Sequence, residues 1–136
     1  MSLYTAVATS AGRDTRAVTS DGRLDVKLAL QKEFGGDGDG TNPEQLFAAG
    51  YAACFISALQ AIARRRRIDA EGSAATAEVG LHHHEDGSFS LSVVMRIELP
   101  DHLAGKPGEE LVEAAHQVCP YSNATRGNIP VRIVIE

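Results

Sequence analysis

Apolar residues recur along this chain with two different periods, and the switches between them mark out its elements. Leu3 to Thr9 and Leu24 to Leu30 alternate or run apolar in the manner of strands, with the turn-prone Thr19-Ser20-Asp21-Gly22 between them, which predicts a hairpin. Beyond the flexible Gly35-Gly36-Asp37-Gly38-Asp39-Gly40 segment the period becomes helical. Thr41 or Asn42 is placed to cap that helix, Pro43 suits its first turn, and Glu44 or Gln45 stands where a capping box needs an acid or amide. The helix is expected to run to about Arg66. Ala74 to His83 and Ser88 to Leu99 return to a strand pattern around the turn His84-Glu85-Asp86-Gly87. Pro107 opens a second helix in which Leu111, Val112, Ala115 and Val118 recur at helical spacing, and Ile129 to Ile135 closes the chain as a strand. This order predicts an α+β fold, and with no linker long enough to divide it, a single domain over residues 1–136.

The first helix is apolar nearly all round. Leu46, Phe47, Tyr51, Phe55, Ile56, Leu59 and Ile62 do not keep to one stripe, which is the pattern of a helix buried on most of its faces. A chain of 136 residues has little material to cover it. A partner subunit would supply the cover, and Ala48, Ala49, Gly50, Ala52 and Ala53 allow two such helices to approach closely. The expectation is an obligate homodimer, most simply with two-fold symmetry.

Composition narrows the function classes. Apolar residues make up 43% of the chain but aromatics only 5%, so the core must be built from Ala, Val, Leu and Ile. A net charge of -5 offers no general attraction to nucleic acid or to anionic membranes. No run of 18 apolar residues and no basic-then-apolar leader is present, so the expectation is a soluble, cytoplasmic protein. In that reducing compartment a lone pair of cysteines is either buried and inert or redox-cycling.

The two cysteines, Cys54 and Cys119, lie in unlike surroundings. Cys54 falls in mid-helix, too far from the helix start for the dipole to lower its pKa, so a nearby cation is needed if it is to react. Taken alone it reads as a small core hydrophobe. Cys119 precedes a proline near the end of the chain, and neither cysteine has the Cys-x-x-Cys spacing of a metal site.

The long Thr41-to-Phe55 stretch and Val118-Cys119-Pro120-Tyr121-Ser122-Asn123-Ala124-Thr125-Arg126-Gly127-Asn128 change that reading, together with Leu3-Tyr4-Thr5-Ala6, Gly12-Arg13-Asp14 and Leu24-Asp25-Val26-Lys27-Leu28. In these segments the chain resembles the organic hydroperoxide resistance (Ohr) branch of the OsmC/Ohr family. The resemblance implies antiparallel sheets around a long buried central helix in an intertwined homodimer. It also implies a thiol peroxidase acting on organic and lipid hydroperoxides, with Cys54 as peroxidatic and Cys119 as resolving cysteine, and with Arg13 and Glu44 organising the site. Recycling would come from an external dithiol of the dihydrolipoamide or lipoylated-protein type, with no bound cofactor or metal.

That chemistry suits these residue types. A thiolate attacks the peroxide and the leaving alkoxide needs stabilisation, so a fixed arginine beside the sulfur both favours the thiolate and polarises the O–O bond. The guanidinium of Arg13 can hold a carboxylate, that of Glu44, on one edge and face sulfur with the other. Ten helical residues rise about 15 Å, so Glu44 and Cys54 cannot meet at one site on an unbroken helix. Either the helix breaks, with Gly50 the candidate, or two antiparallel partner helices share the site, which is the favoured arrangement.

Other motifs carry less. His82, His83 and His84 alternate faces on a strand and suit a solvated hairpin end better than a metal, and His102 and His116 stand isolated. Arg64 to Arg67 complement a helix C-terminus. Asp37-Gly38-Asp39-Gly40 lacks the ligand spacing of a calcium loop. Two alternatives to the organic hydroperoxide reductase stay open: an OsmC-branch peroxidase of different peroxide preference, and a non-catalytic redox-sensing or ligand-binding dimer.

Overall fold

The computed structural model describes residues 2–136, in two compact units divided between Leu46 and Phe47. The first unit carries a three-stranded antiparallel sheet, β1 (Ala8–Ser10), β2 (Arg16–Thr19) and β3 (Asp25–Lys27), in the order β1-β2-β3. Ala8 pairs with Thr19 and Arg16 with Lys27. The expected hairpin is therefore displaced. The strand foreseen over Leu3 to Thr9 begins only at Ala8, and Thr19-Ser20-Asp21-Gly22 joins β3 to the unforeseen β2. β2 is short and opens on a charge, so it has no alternating signature, yet Arg16 and Asp25 clasp it to β3 at 2.6 Å. Asp21 fixes the turn by accepting the Thr19 hydroxyl at 2.8 Å and the Arg23 N–H at 2.9 Å.

A single long helix, α1, spans Pro43–Arg65 without a break. Asn42 is its cap: Asn42 Oδ1 accepts the Gln45 N–H at 2.9 Å, while Thr41 Oγ1 donates to Gln45 Oε1 at 2.7 Å. At its other end Arg67 adopts a left-handed φ of 57°, and the Ile68 N–H reaches back to the Ala63 carbonyl, closing the helix as a Schellman turn.

The second unit holds the sheet β4 (Ala74–His83), β5 (Phe89–Glu98), β6 (Val131–Ile135) and two further helices, α2 (Lys106–Val118) and α3 (Pro120–Thr125). β4 and β5 pair antiparallel from Ala74↔Glu98 to His83↔Phe89. β6 pairs with β5 in parallel, Val93↔Val131 to Ile97↔Ile135, which corrects the expectation of purely antiparallel sheets. The reason is the connection: α2 and α3 carry the chain back to the end of the sheet at which β5 began, as a parallel crossover must. α3 is a second departure from expectation, started by Pro120 immediately after α2 stops at Val118.

Tyr51, Phe55, Leu59 and Ile62 recur three to four residues apart on α1 and join Val93, Met95 and Ile97 of β5 with Leu111, Val112 and Ala115 of α2 in one core. Within one chain α1 is thus buried along one face only. Ala49, Ala53, Ser57, Gln60 and Ala61 remain exposed, so its own chain covers only part of the helix that the sequence led us to expect buried on most of its faces with a partner's help. By length and composition α1 could also cross a membrane, but its inner face is spent on this core.

Candidate functional site

The fold brings the two cysteines together. Cys54 is half-buried on α1, Cys119 is fully buried at the junction of α2 and α3, and Cys119 Sγ lies 3.3 Å from Cys54 Sγ although 65 residues separate them. Both thiols are free. Cys119 serves as the last cap of α2 and the first of α3, a kink that turns its side chain towards α1. Burial pushes the Cys54 thiol above its ordinary 9.0, the Tyr121 backbone N–H pulls the other way, and the neighbouring Cys119 adds to the rise. Within its own unit, then, Cys54 is a poor nucleophile at neutral pH, and a cation would be required to activate it.

Behind the thiols runs a buried polar chain that the sequence did not reveal. Ser122 Oγ lies 2.8 Å from both Tyr51 Oη and His116 Nδ1, and Thr125 Oγ1 lies 3.3 Å from Tyr51 Oη. Arg126 donates to the His116 carbonyl at 2.7 Å, tying the end of α3 to the last turn of α2. His116, expected to stand alone, is instead part of the frame that holds Cys119. Its pKa is lowered by burial first and by the Arg126 charge second, with Glu113 opposing. The available signal was Tyr51 itself, since a tyrosine in an apolar helix stripe needs a partner for its hydroxyl when buried. Phe47, Tyr51 and Tyr121 cluster with ring centroids 5.7–6.1 Å apart. Gly50 makes room for them: a Cβ there would stand 2.6 Å from Tyr121 Oη.

The other two expected site residues belong to the first unit. Arg13 is exposed in the turn after β1, between Gly12 at φ 106° and Asp14 at φ 63°, both in the left-handed region. Glu44 sits in the first turn of α1 and accepts from Gln31 Nε2 at 3.3 Å.

A cavity of 360 Å³ adjoins the thiol pair, running along α1 from Cys54 to Arg65 and walled by Val118 and Pro120. At the far end of the β4–β5 hairpin, His82 and His84 bond Ser92 and Ser90 at 2.6 Å, while His83 stacks on Phe89.

Comparison with known proteins gives a consistent result. Residues 36–134 match the family model described as OsmC-like protein. An organic hydroperoxide resistance protein of Xanthomonas axonopodis is 51% identical over 136 residues, covering 98% of this chain and 94% of that one. Among solved structures, an organic hydroperoxide resistance protein of Legionella pneumophila superposes with a TM-score of 0.95 at 44% identity, over 100% of this chain and 99% of that one. The organic hydroperoxide resistance protein OhrB of Bacillus subtilis follows with a TM-score of 0.88 at 41% identity, over 99% and 100%.

Proposed function

The chain belongs to the OsmC family, in its organic hydroperoxide resistance branch, and on that premise we propose that it is a cysteine-based peroxidase that reduces organic hydroperoxides to alcohols. The observation that carries the reading is the 3.3 Å separation of Cys54 and Cys119. The half-buried Cys54 faces the cavity and is the attacking thiolate, and the fully buried Cys119 waits behind it. Cys54 sulfur takes the terminal oxygen of the peroxide, the O–O bond breaks, and the alkoxide leaves with a proton as the alcohol, which oxidises sulfur by two electrons to a sulfenic acid. The Cys119 thiolate then attacks that sulfur, hydroxide departs as water, and a disulfide forms. A dithiol of the dihydrolipoyl class reopens it by exchange and is itself oxidised to a disulfide.

Burial raises the Cys54 pKa, so the scheme needs a cation. Arg13 fills that role, positioned by Glu44. Because α1 is unbroken, Glu44 lies roughly 15 Å along the axis from Cys54 of its own helix, so the pair attending each thiol is supplied by the partner of a homodimer. Two features support the dimer: the exposed face of α1, and the exposure of Leu3 at 97% and Tyr4 at 81%. The test is consumption of cumene hydroperoxide against hydrogen peroxide, with dihydrolipoamide and glutathione as alternative reductants. Faster turnover of the organic peroxide with the dithiol is expected. Absence of turnover with any pairing would leave a redox-sensing or ligand-binding dimer in its place.

A further inference from the structure

We propose that Ser122 is a positioning residue for the resolving step: its hydroxyl sets the distance between Cys54 and Cys119, so that the disulfide closes before a second peroxide strikes. This rests on the peroxidase reading and deepens it at the same site. Tyr51 stands three residues before Cys54 on α1, His116 three before Cys119, and Ser122 three beyond it. Each is about one helical turn from a sulfur. Ser122 Oγ lies 2.8 Å from both Tyr51 Oη and His116 Nδ1, so a single atom links the α1 side of the thiol pair to its α2 side. Ser122, Tyr51 and Thr125 are buried within their own chain, and a partner subunit can only add cover. The link is therefore internal whatever surrounds the protomer.

Cys119 needs such a device because it is a joint. Its extended torsions, φ -64° and ψ 122°, interrupt the helical backbone between α2 and α3, and a small change in them swings α3. The Ser122–His116 bond and the Arg126 donation to the His116 carbonyl at 2.7 Å both cross the joint. Ser122 also reaches α1 through Tyr51, with Thr125 behind it at 3.3 Å from the same hydroxyl. In the resolving step the S–S bond forms as the S–O bond of the sulfenic acid breaks, and the Cys119 proton leaves with the hydroxide as water. A second peroxide competes for the same Cys54 sulfur and carries it to the sulfinic acid. From 3.3 Å the two sulfurs have only about 1 Å left to close. A misplacement of about 1 Å can cost roughly a hundredfold in rate, so a swing of α3 would hand the competition to overoxidation.

The experiment compares wild-type protein with Ser122→Ala and with the milder Tyr51→Phe, which removes only a hydroxyl. Cumene hydroperoxide is mixed with reduced protein, quenched rapidly with a thiol-alkylating agent and read by mass spectrometry, which separates sulfenic acid formation from disulfide formation. In Ser122→Ala the first rate should stay within about twofold while the second falls about tenfold or more, and sulfinic acid should build up at correspondingly lower peroxide concentrations. Tyr51→Phe should move the same way by less. The reduction potential of the pair, titrated with a dihydrolipoamide redox buffer and no peroxide, should rise by about 30 mV for each tenfold loss in the equilibrium constant for the disulfide. A bond that merely stabilised the fold would weaken both redox forms alike and leave that potential in place. Equal slowing of both steps, an unslowed disulfide step or an unchanged potential would overturn the positioning role. Should Ser122→Ala fail to fold, Tyr51→Phe is read by the same criteria. If the wild type reduces no peroxide, the peroxidase reading fails, and the potential alone decides whether Ser122 positions the thiols.

Discussion

At the scale of single residues the proposed mechanism gives the two sulfurs unequal duties. Cys54→Ser should abolish peroxide reduction, because the remaining thiol, Cys119, is fully buried. Cys119→Ser should still permit one stoichiometric turnover before stalling or overoxidising, as single-turnover alcohol release would register. Arg13→Ala should leave Cys54 with the raised pKa that burial imposes and slow peroxide attack sharply at neutral pH. Glu44→Ala should act through the same guanidinium, so the double variant should be scarcely worse than Arg13→Ala alone; additive losses in thiol-alkylation and peroxide kinetics would assign activation to another group. The cysteine pair was legible because its flanking segments are long and distinctive. The Ser122 network was not, since hydroxyls and a histidine scattered over positions 51, 116, 122 and 125 acquire meaning only when α1, α2 and α3 pack together.

Among the elements, those with strong periodicity were readable almost to the residue: α1 starts at the foreseen Pro43, and β4 spans the foreseen Ala74 to His83. Short ones were not. β2 has four residues and α3 has six, too few for any period to show, and each is held by tertiary bonds instead. α3 is secured through Ser122, and this makes the α2–α3 junction sensitive to acid. The folded chain lowers the His116 pKa below its ordinary 6.5, so on lowering the pH the unfolded chain binds the proton first. The stability that neutral His116 contributes should be complete above pH 6.5 and be lost as the pH falls through and below that value. Urea midpoints from pH 8 to pH 5 should decline in the wild type and decline less in His116→Gln.

For the molecule as a whole, what one chain leaves exposed is as informative as what it buries. The even apolar pattern of α1 was visible in the sequence, but which half its own chain would cover was not, because that depends on where the β4-β5-β6 sheet lies. Ala53 is exposed within the chain, so Ala53→Glu should be harmless to a lone protomer and should disrupt a dimer, where the charge would be buried unpaired at a cost of several kcal/mol. Light scattering at micromolar concentration would distinguish the two; an unaltered assembly would move the interface elsewhere. Closing the Cys54–Cys119 bond ties a 65-residue span of chain into a loop, which on chain-entropy grounds stabilises the fold by about 4 kcal/mol. The oxidised protein should therefore melt on the order of 10 °C above the reduced one. Heat resistance would then oscillate within each catalytic cycle, highest just after a peroxide has been consumed and lowest when the protein is ready for the next, so that a melting curve taken under oxidative load reads out how far reductant supply has fallen behind.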